Sequence, residues 1–139
     1  AKEPRFLNNW VLTPHPGEAA RLLNSTTTAI AKDRFAAVLA IQKQYGGVVV
    51  LKGAGTLISH ADEISLSTTG NPGMATAGMG DTWTGMMAGL LAQGLALEVA
   101  TRTAVYLHGK AADLSAQQQG EIGLLASDLM PFIRKLVNQ

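Results

Sequence analysis

A run of small residues ends in an acid: Gly70-Asn71-Pro72-Gly73-Met74-Ala75-Thr76-Ala77-Gly78-Met79-Gly80-Asp81-Thr82-Trp83-Thr84-Gly85. Glycines at 78 and 80 let the backbone turn sharply with its amides converging, just before a helix start. Free N–H groups and the positive helix end then bind an anion without any basic side chain. Asp81 falls in that same first turn. A carboxylate beside a bound phosphate is repelled unless a metal or a reacting hydroxyl lies between them. The pairing therefore points to phosphoryl chemistry, with Asp81 accepting the proton of the attacking hydroxyl. The plainer alternative is a turn followed by a helix cap, since Asp is a favoured capping residue. A Walker loop would need Gly-Lys-Ser/Thr, which is absent, and the dinucleotide fingerprint would need glycine where Trp83 stands.

Other candidates are more ambiguous. His15, between two prolines, is either a ligand-contacting or a capping residue, and Glu18 reads as the capping-box carboxylate reaching back to the His15 amide. Lys52, at a strand end, either meets a ligand or only extends its ammonium into solvent. His108 reads as a packing residue inside a helix, and His60 as a solvent-exposed hairpin residue.

The elements that must position these groups follow from period and punctuation. Trp10–Thr13 reads as a short strand ended by Pro14 and Pro16, with a helix opening at His15-Pro16-Gly17-Glu18. After Thr26–Thr28 a long helix carries Ile30, Arg34, Ala37, Val38, Ile41 and Tyr45, and Gly46-Gly47 stops it. Val48–Leu51 is continuously apolar, as expected of a central strand of a parallel sheet. Gly53-Ala54-Gly55 then leads to Thr56–Ser59, paired with Ile64–Ser67 across a turn at Ala61-Asp62. A helix over Gly80–Gln93 is apolar on every face and is expected to be buried. The next, Leu97–Gln117, places Val99, Thr103, Tyr106, Ala111 and Leu114 on one side, and Ser127 is expected to cap a last amphipathic helix. Strands alternating with helices give an α/β class with a mostly parallel sheet.

Composition narrows the partners. The 139 residues are of one-domain length. Eleven Lys and Arg against ten Asp and Glu leave a net charge of +1, so no long-range field draws the chain to nucleic acid or an anionic membrane. Aromatic residues make up 5%, too few for a base-stacking platform. Lys2, Glu3 and Arg5 with no apolar run give no sign of a signal peptide, and no apolar stretch approaches a membrane span. The absence of cysteine excludes disulfides and thiol catalysis and suits a reducing cytoplasm.

Gly70–Thr76 followed by Gly78-Met79-Gly80-Asp81 and Thr84-Gly85 resembles the signature of the ADP/ATP-dependent NAD(P)H-hydrate dehydratases of the ribokinase-like superfamily. Leu12–Glu18 and Val50–Thr56 agree in the right order, as does the tail from His108-Gly109 to Ser127-Asp128. The resemblance covers residues 1–139 but only the C-terminal half of such a domain, and Thr82-Trp83 departs from the family's usual aliphatic pair. It implies repair of hydrated NADH or NADPH: ADP or ATP phosphorylates the ring hydroxyl, and loss of phosphate restores the cofactor. It further implies Asp81 as substrate contact and catalytic base, His15 as a second substrate contact, and Gly78, Met79 and Gly80 as the anion hole. Lys52, Gly53, Ala54, Gly55, Thr56 and Gly80 would hold the adenine nucleotide. Mg²⁺ is expected between the phosphates, with no motif specifying its ligands. The alternatives are a small-molecule kinase of the same superfamily, or a non-catalytic fragment. With half a domain absent, the edge beside Val48–Leu51 is expected to be covered by a complementary polypeptide or another copy of the chain.

Overall fold

The structure, a computed structural model, describes residues 4–139. Lys2 and Glu3, two of the charges read at the chain start, lie outside the described residues. Two units divide the chain, Ala1–Ser67 and Thr68–Gln139.

The first unit contains β1 (Val11–Leu12), α1 (Pro16–Leu22), α2 (Thr27–Lys32), α3 (Arg34–Tyr45), β2 (Val48–Leu51), β3 (Leu57–His60) and β4 (Glu63–Leu66). Every residue of β2 is at most 1% exposed. Four aliphatic side chains in succession have no polar face to offer water, so the strand is buried on both sides. Ala37, Val38 and Ile41 of α3 join Val49, Leu51 and Leu57 in the core.

The sheet order is β1-β2-β3-β4. Only β1 and β2 pair parallel; β2–β3 and β3–β4 are antiparallel, so the mostly parallel sheet gives way to a mixed one. The reason is connection length. Lys52–Thr56 is far too short for a parallel crossover, which takes about a dozen residues or more. Ala61 and Asp62 both have positive φ, 50° and 64°, as a tight hairpin turn between twisted strands requires. The expected open edge beside Val48–Leu51 is also corrected. β2 is paired on both sides, and the sheet ends at β1 and β4.

The long helix expected through Ile30–Tyr45 is broken at Asp33, whose Oδ1 accepts from Ala36 N at 2.9 Å and so caps α3. His60 is half-buried opposite Glu63 rather than solvent-exposed.

The second unit is helical: α4 (Met79–Ala92), α5 (Leu97–Gln119) and α6 (Met130–Val137), with short 3₁₀ turns at Pro72–Met74 and Ala126–Leu129. Met79, Ala111, Ala112, Leu124 and Leu129 form its core, with Phe132, Ile133 and Leu136 packed against them. α4 buries Met79, Trp83 and Met87 but exposes Gly85, Ala88, Gly89 and Ala92, so it is half-buried and not enclosed as expected. The expected face of α5 is only partly kept: of its five residues Ala111 alone is fully buried, and Thr103 and Leu114 are half-buried. Ala100, Ala104, Ala111 and Ala112 are buried with Thr101, His108 and Ser115, while Val99 and Tyr106 face solvent. Small side chains let neighbouring backbones come close, and that proximity decides the buried face. Ser127 does not cap α6, which follows Leu129 without a side-chain cap; Asp128 Oδ2 instead accepts from Leu125 N at 2.9 Å, closing the 3₁₀ turn before it. Among the described residues no helix is long and apolar enough to cross a membrane.

Candidate functional site

In the first unit the start of α1 and the end of β2 meet at Glu18. His15 Nδ1 accepts from Gly17 N at 3.0 Å and Glu18 N at 3.2 Å, while His15 N donates to Glu18 Oε2 at 2.7 Å. This is a capping box with histidine in the usual Ser/Thr place. The same carboxylate lies 3.5 Å from His15 Nε2 and 3.9 Å from Lys52 Nζ. The amide hydrogen bond from His15 holds the Glu18 carboxyl below its usual 4.5; partial burial opposes this, and His15, Lys52 and Arg21 add to it. Thr13, Pro14, Glu18, Arg21, Tyr45 and Lys52 line a cleft of about 460 Å³ beside this junction.

Lys52 also begins the loop to β3, and its amide donates to Pro14 O at 2.9 Å. That bond ties the expected nucleotide loop, Lys52–Thr56, to the segment carrying His15. Arg34 braces the loop: Nη1 donates to Ala54 O at 2.6 Å and Nη2 to Leu51 O at 3.4 Å. Thr56 Oγ1 donates to Gly53 O at 3.3 Å, closing the turn on itself. Sequence reasoning placed Arg34 only within a helical repeat. Its role shows only once the break at Asp33 is known, because a cation at the first residue of a helix then opposes the macrodipole and needs another partner.

In the second unit Gly78 is the N-cap of α4, at φ 84°, a left-handed conformation that glycine adopts without strain. Met79 is buried while Gly78, Gly80 and Asp81 are exposed, so one side chain anchors a turn whose backbone faces outward. A Cβ at Gly80 would meet nothing within 4 Å. Neither φ nor packing demands glycine there, although glycine costs a helix about 1 kcal/mol relative to alanine. Backbone left bare at a helix start is what close approach of an anion uses. Beneath this turn His108 is only 8% exposed and hydrogen-bonds to the Met79 backbone; burial pushes its pKa below 6.5 against that bond.

His15 and Lys52 are thus brought together through Glu18 in one unit, and Gly78, Met79, Gly80 and Asp81 share one turn in the other. Among the described residues no group of three His, Cys, Asp or Glu could cage a metal ion. Mg²⁺ does not require one, because it keeps several waters and rests mainly on phosphate oxygens with one or two carboxylates.

Comparison with known proteins gives this geometry a context. A family model described as NAD(P)H-hydrate dehydratase matches residues 1–135. The bifunctional NAD(P)H-hydrate repair enzyme Nnr of Vibrio cholerae serotype O1 is 51% identical over 138 residues, 99% of this chain and 28% of that protein. The ADP-dependent (S)-NAD(P)H-hydrate dehydratase of Neisseria meningitidis serogroup B is 45% identical over 137 residues, 97% of this chain and 46% of that one. Among solved structures, the ADP/ATP-dependent NAD(P)H-hydrate dehydratase from Bacillus subtilis, co-crystallized with ATP/Mg²⁺ and soaked with CoA, matches with a TM-score of 0.89 at 33% identity, covering 98% of this chain and 52% of its own. The α/β, ribokinase-like class read from the sequence therefore stands. The chain spans about half the length of these dehydratases and 28% of the bifunctional relative.

Proposed function

Because the chain belongs to the NAD(P)H-hydrate dehydratase family, we propose that residues 1–139 form the C-terminal part of a ribokinase-like domain that restores hydrated NADH or NADPH. ADP or ATP donates a phosphoryl group to the ring hydroxyl; the oxygen–phosphorus bond to the leaving nucleotide breaks as the new one forms. Loss of inorganic phosphate and a ring proton then regenerates the double bond. Asp81 contacts the hydrated ring and takes the hydroxyl proton. Gly78, Met79 and Gly80 receive the transferring phosphoryl on their amides, and Mg²⁺ bound with the nucleotide would supply neutralisation of the phosphate charge. Lys52–Thr56 and Gly80 hold the adenine nucleotide, and His15 is a second substrate contact. The observation that carries this reading is the start of α4, a left-handed glycine followed by an unobstructed Gly80 and an exposed Asp81.

β1 is a two-residue, half-buried edge strand. We take it as the seam where the rest of the sheet joins, supplied by a complementary polypeptide or another copy of the chain. A cysteine-free chain fits a reducing cytoplasm.

The test is incubation with hydrated NADH, ADP and Mg²⁺, following the return of reduced-nicotinamide absorbance. ADP-dependent recovery supports dehydration; a phosphorylated product that never regains absorbance would indicate a kinase instead. Titration with ADP should move the amide signals of Gly53, Gly55 and Gly80, and signals that stay still would refute the nucleotide site. Sedimentation adds a further check. A monomeric chain turning over alone at a median enzyme rate of about 10 s⁻¹ would remove the need for the seam.

A further inference from the structure

The loop entering α4 must hold Gly78–Gly80 in one place, yet few of its own side chains can anchor it. Its anchors come from α5. Gly70 N donates to Asp113 Oδ2 at 3.0 Å, and Asn71 Nδ2 donates to Asp113 Oδ1 at 3.0 Å. Asn71 Oδ1 accepts in turn from Gly73 N at 3.1 Å, so a carboxylate and a carboxamide together fix the first turn of the loop. Thr69 Oγ1 donates to Tyr106 O at 3.3 Å. A Cβ on Gly109 would stand 2.8 Å from the carbonyl carbon of Thr69, so helix and loop approach backbone to backbone there. Tyr106, Gly109 and Asp113 recur at the spacing that shares one helix face.

We propose that Asp113 is a positioning residue for the reaction: its carboxylate locks the loop to α5 so that the amides of Gly78–Gly80, and Asp81 after them, stay where a transferring phosphoryl group needs them. This rests on the reading of the α4 start as an anion hole. Asp113 makes and breaks no bond to substrate. Its contribution is directional, because each oxygen accepts from a different donor and charge-assisted hydrogen bonds are the stronger kind. Alanine at 113 would leave two donors without their acceptor. Asparagine alone would set one N–H₂ group against that of Asn71.

Exchanging the two side chains removes that conflict. In the double variant Asn71→Asp with Asp113→Asn, the carboxamide at 113 still accepts from Gly70 N and donates to the carboxylate at 71, which still accepts from Gly73 N. The 139-residue chain is followed by amide exchange and NMR, first without ligand and then with inorganic phosphate. Asp113→Ala and Asn71→Asp should each speed exchange at Gly70 and Gly73 about tenfold. Both should displace the signals of Gly78 and Gly80 and weaken phosphate binding about tenfold. The signals of Val49 and Leu57 should not move, and the exchanged pair should return the loop toward wild type. Gly78 and Gly80 signals that stay in place in a folded Asp113→Ala chain would overturn the proposal, as would a folded exchanged pair as weak as either single variant. If Asp113→Ala does not fold, Asn71→Asp against the exchanged pair makes the same comparison. A wild-type chain whose Gly78 and Gly80 ignore phosphate would overturn the anion-hole reading, whereas the ligand-free loop response reports on the clamp separately.

Discussion

The loop Lys52–Thr56 is braced by a cation, and the loop entering α4 by an anion. Arg34 can only donate, so it engages carbonyl oxygens, at Ala54 and Leu51, and uses none of the loop's N–H groups. Asp113 can only accept while ionised, so it consumes the Gly70 amide and the Asn71 carboxamide at the start of its loop, leaving the amides further on to other partners. Two loops of similar composition are thus held through opposite halves of the peptide group. The sign of the brace decides which backbone groups remain to meet a ligand.

The comparison is broken most severely at the acid closing the second loop. Asp81→Asn keeps shape but cannot take a proton, and a positioned general base is worth about 10²–10⁴ in rate. Turnover in the active enzyme should fall by that factor while ADP affinity holds; a variant keeping more than a tenth of wild-type kcat would make Asp81 a cap. Next comes Gly109→Ala, whose Cβ would press on the Thr69 backbone. Overpacking of that kind costs about 1–3 kcal/mol, read as a lowered thermal midpoint. Gly80→Ala, with open space around its Cβ, should leave the midpoint unchanged or slightly raised while weakening phosphate binding. Equal destabilisation by the two would erase the distinction between a packed and an offered glycine.

On the other loop, Arg34→Ala should weaken ADP about tenfold by releasing two charge-assisted bonds. Arg34→Lys should recover only part, since an ammonium lacks the planar fork that reaches two carbonyls. Full recovery by lysine would mean that charge alone holds the loop. The smallest effects concern pH, and they fall in separate windows. Burial lowers the His108 pKa, so the unfolded chain binds its proton first and stability declines as pH falls below 6.5. Glu18, also lowered, contributes stability that is complete above 4.5 and lost only as pH falls through its lower folded value. Urea melts from pH 7 to 3 should show an early decline that His108→Gln flattens and a later one that Glu18→Gln flattens. A single decline insensitive to both would contradict these assignments.

Much of this was legible in residue type and order. The Ala61-Asp62 hairpin, the stop at Gly46-Gly47 and the Glu18 capping box each rest on neighbours within a few positions. The shortness of Lys52–Thr56 also announced antiparallel pairing, although the apolar run of Val48–Leu51 argued for a parallel sheet. What stayed hidden depends on distance or on competition. The periodicity of Ile30–Tyr45 runs through Asp33, and only the cap it makes reveals the break. Val99 and Tyr106 look like a core face, but close packing selects Ala100, Ala104 and Ala112 instead. His15, Lys52 and Asp81 could be named as candidates from type and motif. Arg34 and Asp113 could not, because their partners lie 20 and 42 residues away.

The cap at α1 commits His15 chemically. Two backbone amides point at Nδ1, so that nitrogen must present its lone pair, and a neutral ring then carries its hydrogen on Nε2. The outer edge of the imidazole is therefore a donor, and it already faces the Glu18 carboxylate at 3.5 Å. It can hold an oxygen of a ligand, such as a carboxamide or phosphate oxygen, while Nδ1 stays engaged with the first turn of its own helix. A residue type usually credited with moving protons is here fixed by backbone hydrogen bonds as a reader of acceptors, and Asp81 is left as the proton acceptor of the proposed reaction.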